Sequence, residues 1–132
     1  MADNLSRQQR SFCMSQVRTR YTDLEQLIAK ELRHRGLSFR RHDASLPGKP
    51  DVVFRQAKLA VFVDGDFWHG YRFPCWRHKV SPFWQRKIAQ NRLRDQRNFQ
   101  KLRRMGWKPI RIWQTQIKAN LESCVSRILS AL

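Results

Sequence analysis

The sequence predicts an α/β fold, a mixed central β-sheet flanked by helices on both faces. Two apolar runs of strand type, Val52-Val53-Phe54 and Leu59 to Val63, stand either side of Arg55-Gln56-Ala57-Lys58. Segments with apolar residues at helical spacing lie before and after them. The resulting order of elements is α-β-β-β-α-β-α, which one sheet accommodates with helices above and below. At 132 residues the chain has the length of one domain, and a 41% apolar content suffices for one core.

Each element has its own signal. Residues 1–21 are polar and basic, with Arg7, Arg10, Arg18 and Arg20, and read as an arm that orders on its partner, ahead of a single domain over 22–132. Thr22-Asp23-Leu24-Glu25 is a capping box, with Thr at the N-cap and Glu at N3. Leu24, Leu27, Ile28 and Leu32 follow at helical spacing, and Gly36 stops the helix. Leu37 to Arg41 is predicted as a short strand. A turn centred near Ala57 would pair Asp51 with Val63 at the open end of a hairpin. Residues 66–80 form an aromatic and basic loop. Ser81-Pro82 opens a long helix that Gly106 ends, Lys108 to Trp113 is a strand, and Thr115 to Leu132 is a last amphipathic helix.

Charge narrows the partners. The chain carries 27 Lys and Arg against 10 acids, a formal charge of +17, which calls for a polyanion. A ribosome-type structural binder and a membrane-surface protein are the bland alternatives. No segment approaches the roughly 18 consecutive apolar residues of a membrane span. The opening Met1-Ala2-Asp3-Asn4 has no apolar signal core, so a cytoplasmic location is expected. Cys13, Cys75 and Cys124 are widely spaced and predict no disulfide framework.

The few acids stand out against this background. Asp51 opens a core strand after Pro47-Gly48-Lys49-Pro50, and Asp64 and Asp66 end another. Buried carboxylates need a partner cation or a reaction. Asp51 is the candidate direct Mg²⁺ ligand, because Mg²⁺ takes hard oxygens and keeps several waters. A backbone carbonyl at Val63 or Asp64 would complete the protein's share. Asp64 and Asp66 could join the metal site or sit at the turn with Gly65. Glu25 could reach the metal's water shell, or serve only its capping box.

His69 could take a proton from an attacking water, or be structural or a phosphate contact. Residues 72–104 hold eleven Lys or Arg and a single acid, Asp95. Asp95 falls in the apolar stripe Trp84, Ile88, Phe99, Leu102, so it faces inward. It either pairs with an Arg or orients a histidine or a metal-bound water. Cys75 and His78 have C-x-x-H spacing, but two ligands make no zinc site.

Phe67, Trp68, Tyr71, Phe73, Trp76, Phe83 and Trp84 interleave with Arg72, Arg77, Lys79, Arg86 and Lys87. Cations neutralise phosphates, and flat rings stack on bases or wedge between them. Phe67-Trp68, in a loop between Gly65 and Gly70, suits insertion into a duplex, whereas Trp84 at a helix start is partly core. Double-stranded DNA is the expected partner.

Several motifs in order then resemble those of the very-short-patch-repair (Vsr) DNA mismatch endonucleases. They are residues 44–51 (ASLPGKPD), 61–70 (VFVDGDFWHG), Phe83 to Ile88 with Asn91 and Arg94-Asp95, and Gly106-Trp107 with Ile112-Trp113. The resemblance implies a PD-(D/E)xK nuclease core and Mg²⁺-dependent nicking of one strand beside a T:G mismatch, by a chain that acts as a monomer. It implies metal at Asp51 and the Val63 carbonyl, His69 as general base held by Asp95, and Glu25 on the water shell. It makes Phe67, Trp68 and Trp84 the intercalating rings. The family's structural zinc ligands fall here at Asp66, Tyr71, Phe73 and Thr115, a poor set, so structural zinc is expected to be absent. That departure leaves room for a homing- or restriction-type nuclease on intact DNA. A catalytically inert DNA-binding module is a third reading, since the basic surface and the rings need no acids.

Overall fold

In the computed structural model, which describes residues 23–65 and 77–132, the elements run in the predicted order. They are α1 (residues 23–34), β1 (Arg40–Arg41), β2 (Val52–Phe54), β3 (Leu59–Asp64), a 3₁₀ turn (Arg77–Lys79), α2 (Pro82–Arg104), β4 (Lys108–Trp113), α3 (Gln114–Ala119) and α4 (Leu121–Ala131). The four strands form one sheet in the order β1-β2-β3-β4. The first three are antiparallel and β4 is parallel to β3, so the sheet is mixed. A parallel neighbour needs a long crossover, and α2 lies within it. The residues of the predicted arm lie outside those described.

Side-chain alternation along the strands sorts the core into two layers. Val52, Phe54, Leu59, Val61, Val63 and Ile112 pack with Ile28 and Leu32 of α1, Ile117 of α3, and Cys124, Val125 and Ile128 of α4. Val53, Ala60 and Phe62 point the other way, onto Leu102 and Phe99 of α2. Every residue of β3 is buried, as expected of a strand covered on both faces. Among the described helices, none is long and apolar enough to cross a membrane.

Both predicted helix stops hold, and by one mechanism. At Gly36 (φ +79°) and Gly106 (φ +85°) the chain enters the left-handed region. The amide of Gly36 donates to Arg33 C=O and that of Leu37 to Leu32 C=O, and Gly106 and Trp107 repeat the pattern on Arg103 and Leu102. This is the Schellman closure.

Four details differ from the sequence reading. The β2–β3 register is one step off, with Val52 opposite Val61 rather than Asp51 opposite Val63. The cause is the turn, in which Lys58 N–H closes back on Arg55 C=O across four residues, so the turn has no central residue. The predicted strand from Leu37 shrinks to Arg40–Arg41, and by the β1–β2 register Leu37 and Ser38 would face turn residues beyond the end of β2 at Phe54. The predicted single last helix breaks at Asn120 (φ −163°, ψ 91°), whose side chain accepts Ser123 N–H at 3.0 Å and caps α4. Ser81 does stand at the N-cap of α2 before Pro82, but makes no side-chain capping bond. Gln85 Nε2 instead donates to Val80 C=O at 3.1 Å.

Leu46-Pro47-Gly48-Lys49 forms a turn closed by Lys49 N–H on Leu46 C=O at 3.1 Å. Gly48 sits at φ +80°, where a type II turn needs glycine. A Cβ there would lie 3.0 Å from Phe62 Cε1 and 3.3 Å from Asn98 Cβ, whereas at Gly36 it would meet nothing within 4 Å. Gly36→Ala should therefore carry only the left-handed backbone cost of roughly 1–2 kcal/mol. Gly48→Ala should lose measurably more in urea unfolding; equal losses would show that the Phe62 contact relaxes freely.

Candidate functional site

Among the described residues four carboxylates are buried, although the chain is strongly basic: Glu25 (4% exposed), Asp51 (9%), Asp64 (4%) and Asp95 (7%). They come from α1, the start of β2, the end of β3 and the inner stripe of α2. The stripe runs as expected, with Trp84, Ile88, Asn91, Asp95 and Leu102 buried.

Asp51 is held by backbone on two sides. Its N–H donates to Val61 C=O at 2.9 Å, and its Oδ2 accepts Val63 N–H at 2.7 Å. The sequence reading thus joined the right residues by the wrong bond, since the carboxylate rather than the ladder reaches Val63. A strand residue's N–H and C=O point to the same edge, so the Val63 carbonyl faces the Asp51 side of β3. On the other side, the β1–β2 register continued one step places His42 opposite Asp51, and His42 N–H donates to Asp51 C=O at 3.2 Å. His42 Nδ1 lies 3.7 Å from Asp51 Oδ1, and its Nε2 lies 2.9 Å from Glu25 Oε1. Arg41 donates to that same Glu25 oxygen at 2.7 Å. Glu25 therefore has partners beyond its own helix. Ligand atoms of Glu25, His42 and Asp51 all lie within 4.8 Å of one another.

A second group is built around Arg111. β4 alternates, so Ile112 enters one core layer while Arg111, opposite Phe62, faces α2. Its Nε donates to Asp64 Oδ2 at 2.6 Å and its other end meets Asp95 Oδ2 at 2.7 Å. The guanidinium also lies 4.7 Å from the centroids of both Phe99 and Trp113. Arg94 approaches Asp95 Oδ1 more distantly, at 3.7 Å. Asp95 thus makes the Arg pairing that was one of its two readings, while the other involves His69, which lies outside the described residues. Between the two groups lies a cleft of about 340 Å³, lined among others by Gly48, Lys49, Asp51, Asp64, Arg94 and Asp95.

The loop leading into Asp51 is tied down locally. Ser45 donates through N–H and Oγ to Asp43, and Arg55 donates to the other Asp43 oxygen at 2.9 Å. The bonds from Ser45 hold the Asp43 carboxyl below its ordinary range. On the opposite core layer, burial pushes the free Cys124 thiol up.

The structure brings Glu25, Asp51, Val63, Asp64 and Asp95 to one end of the sheet. His69, Asp66, Phe67, Trp68, Arg72, Tyr71, Phe73, Cys75, Arg18 and Arg20 lie outside the described residues. Lys79, Arg86 and Lys87 are exposed, and Arg77 opens the 3₁₀ turn. Trp84 is 9% exposed, so it is a core ring as it stands, and the accessible aromatic beside it is Phe83 at 55%. Thr115 is exposed at the start of α3, and His78 is exposed. Sequence reasoning missed Arg111 and His42. Arg111 could have been found from the alternation Ile110-Arg111-Ile112, which turns a cation inward. His42 left no such signal, because its placement depends on register.

Residues 2–75, more than half of the chain, match the family model described as DNA mismatch endonuclease Vsr. The chain is similar to the DNA mismatch endonuclease Vsr of Escherichia coli (strain K12), at 37% identity over 122 residues, covering 89% of this chain and 77% of that protein. It is 39% identical over 119 residues to a type II nicking enzyme of Xanthomonas oryzae pv. oryzae, covering 89% of this chain and 88% of the relative. A type II nicking enzyme of Neisseria meningitidis serogroup C is 34% identical over 133 residues, covering 98% of this chain and 90% of the relative. With so much of its length in agreement, this chain belongs to the Vsr family of DNA mismatch endonucleases.

Proposed function

We propose that this endonuclease nicks one strand of duplex DNA at a T:G mismatch, using a divalent cation, Mg²⁺ in the simplest case, held at Asp51. The observation that carries the reading is Asp51 itself. It is a buried carboxylate fixed by the Val63 amide at the open end of the sheet, in a chain of charge +17. The neighbouring donor set suits a hard cation, with the Asp51 carboxylate, the Val63 carbonyl facing the same edge, and Glu25 near enough for the water shell. A cation bound there would supply charge to the phosphoryl oxygens as the bond to the leaving oxygen breaks.

The chain's own residues would do the rest. Asp51 and Val63 hold their donors rigid because β2 and β3 fix both backbones. His69 takes the proton from the water that attacks phosphorus, and Asp95 sets its tautomer. We assign Asp64 to the Arg111 bridge rather than to the cation, since its Oδ2 is already engaged at 2.6 Å. Arg111 acts as a positioning residue, locking Asp95 to the end of β3. Lys79, Arg86 and Lys87, with Arg77, Arg72, Arg18 and Arg20, neutralise DNA phosphates. Phe67 and Trp68 open the base stack. The relatives named type II nicking enzymes support cutting of one strand. The relative named a mismatch endonuclease supports a mismatched target. Every residue assigned to the reaction comes from one chain, and we read the enzyme as acting as a monomer.

Asp51→Asn should lower nicking of a T:G duplex by at least about 10³-fold. Duplex affinity, which phosphate contacts dominate, should stay within about threefold. Retained nicking would remove Asp51 from the reaction. Nicking rates on T:G and matched T:A duplexes of the same sequence should differ strongly; equal rates would replace mismatch recognition by recognition of intact sequence. Arg111→Met removes the cation shared by two buried carboxylates and should cost about 3–5 kcal/mol in chemical denaturation. Arg111→Lys should recover only part of it, because an ammonium cannot span both acids as the planar fork does.

A further inference from the structure

We propose that His42 is a third protein ligand of the cation site, giving this chain a nitrogen donor that favours a first-row transition-metal ion over Mg²⁺. The proposal rests on the assignment of Asp51 to that site and deepens it. Two turns of geometry support it. His42 is the cross-strand neighbour of Asp51, so its Cα cannot drift away from the carboxylate without breaking the β1–β2 pairing. Its backbone sits at φ +52°, in the left-handed region that histidine visits more readily than most side chains. From there the imidazole stands between the two carboxylates, Nε2 at 2.9 Å from Glu25 and Nδ1 at 3.7 Å from Asp51.

The three donors span no more than 4.8 Å, a gap that small side-chain rotations close around one ion. Glu25 and Asp51 are nearly buried, while the His42 side chain is 47% exposed, so the imidazole stands on the solvent side where an ion enters. Arg41 Nη2 donates to Glu25 Oε1 and also lies 3.4 Å from His42 Nε2, so the cation faces both members from one side. Chemistry then decides preference. Carboxylates alone favour Mg²⁺, Ca²⁺ and Mn²⁺, whereas an imidazole adds affinity along the transition series and adds little for Mg²⁺.

The test titrates Mn²⁺ and Mg²⁺ separately into the intact protein by calorimetry, for the wild type, His42→Asn and Asp51→Asn. Asparagine tolerates the positive φ, so His42→Asn should fold, and its circular dichroism and melting temperature check this. Wild type should bind Mn²⁺ more tightly than Mg²⁺. His42→Asn should weaken Mn²⁺ by about tenfold or more and Mg²⁺ by less than about twofold. Electron spin-echo modulation of bound Mn²⁺ should show imidazole nitrogen in the wild type and lose it in His42→Asn. Unchanged Mn²⁺ affinity and an unchanged nitrogen signal in His42→Asn, with binding lost in Asp51→Asn, would overturn the role of His42 and leave the Asp51 site standing. Mn²⁺ binding unaffected by Asp51→Asn would overturn both.

Discussion

The site depends on the register of a three-residue strand. β2 meets β3 with Val52 opposite Val61, and that one alignment sends Val52 and Phe54 into one core layer and Val53 into the other. It also leaves Asp51 just beyond the last pair, where its carboxylate can turn in and accept the Val63 amide. A slip of one residue would exchange the faces of the whole strand and bury Asp51 among aliphatic side chains. The turn at Arg55–Lys58 and the Gly48 turn hold the strand from its two ends, so the alignment is set before any ligand arrives.

A second constraint ties the long helix to the sheet. Asp95 faces inward because α2 must bury the stripe it belongs to, and Asp64 faces the same side because it follows Phe62 by two positions in β3. Two carboxylates so placed would repel each other strongly in a dry interior. Arg111 lies between them with one donor for each. Its stacking near Phe99 and Trp113 makes the guanidinium part of the core as well as its counter-charge. The cleft beside Asp51 keeps its shape because β3, β4 and α2 are joined at this point.

Much of this was legible in the chain. Element order, the long helix and both glycine stops follow from local rules of spacing and capping, which act over a few residues. The inward aspect of Asp95 was readable because seven-residue spacing from Ile88 and to Leu102 leaves it no other face. What was not legible depends on pairing between distant segments. The turn at Arg55–Lys58 hid a one-step difference in register, and with it the position of His42 opposite Asp51. Asn120 was hidden inside an amphipathic pattern that continues across the break, since Ile117 and Val125 share a core layer whether or not the helix is continuous. Arg111 looked like one more cation in a strongly basic chain, and only the parallel pairing of β3 with β4 shows what it faces.

The central claim is that Asp51 marks a cation site at the open end of the sheet, on the side that Glu25 and His42 share. Anomalous diffraction near the manganese edge, from crystals equilibrated with Mn²⁺, tests it most directly. The account predicts one strong peak in bonding contact with the Asp51 carboxylate and adjoining His42. A peak confined to other acids, with none at Asp51, would contradict it.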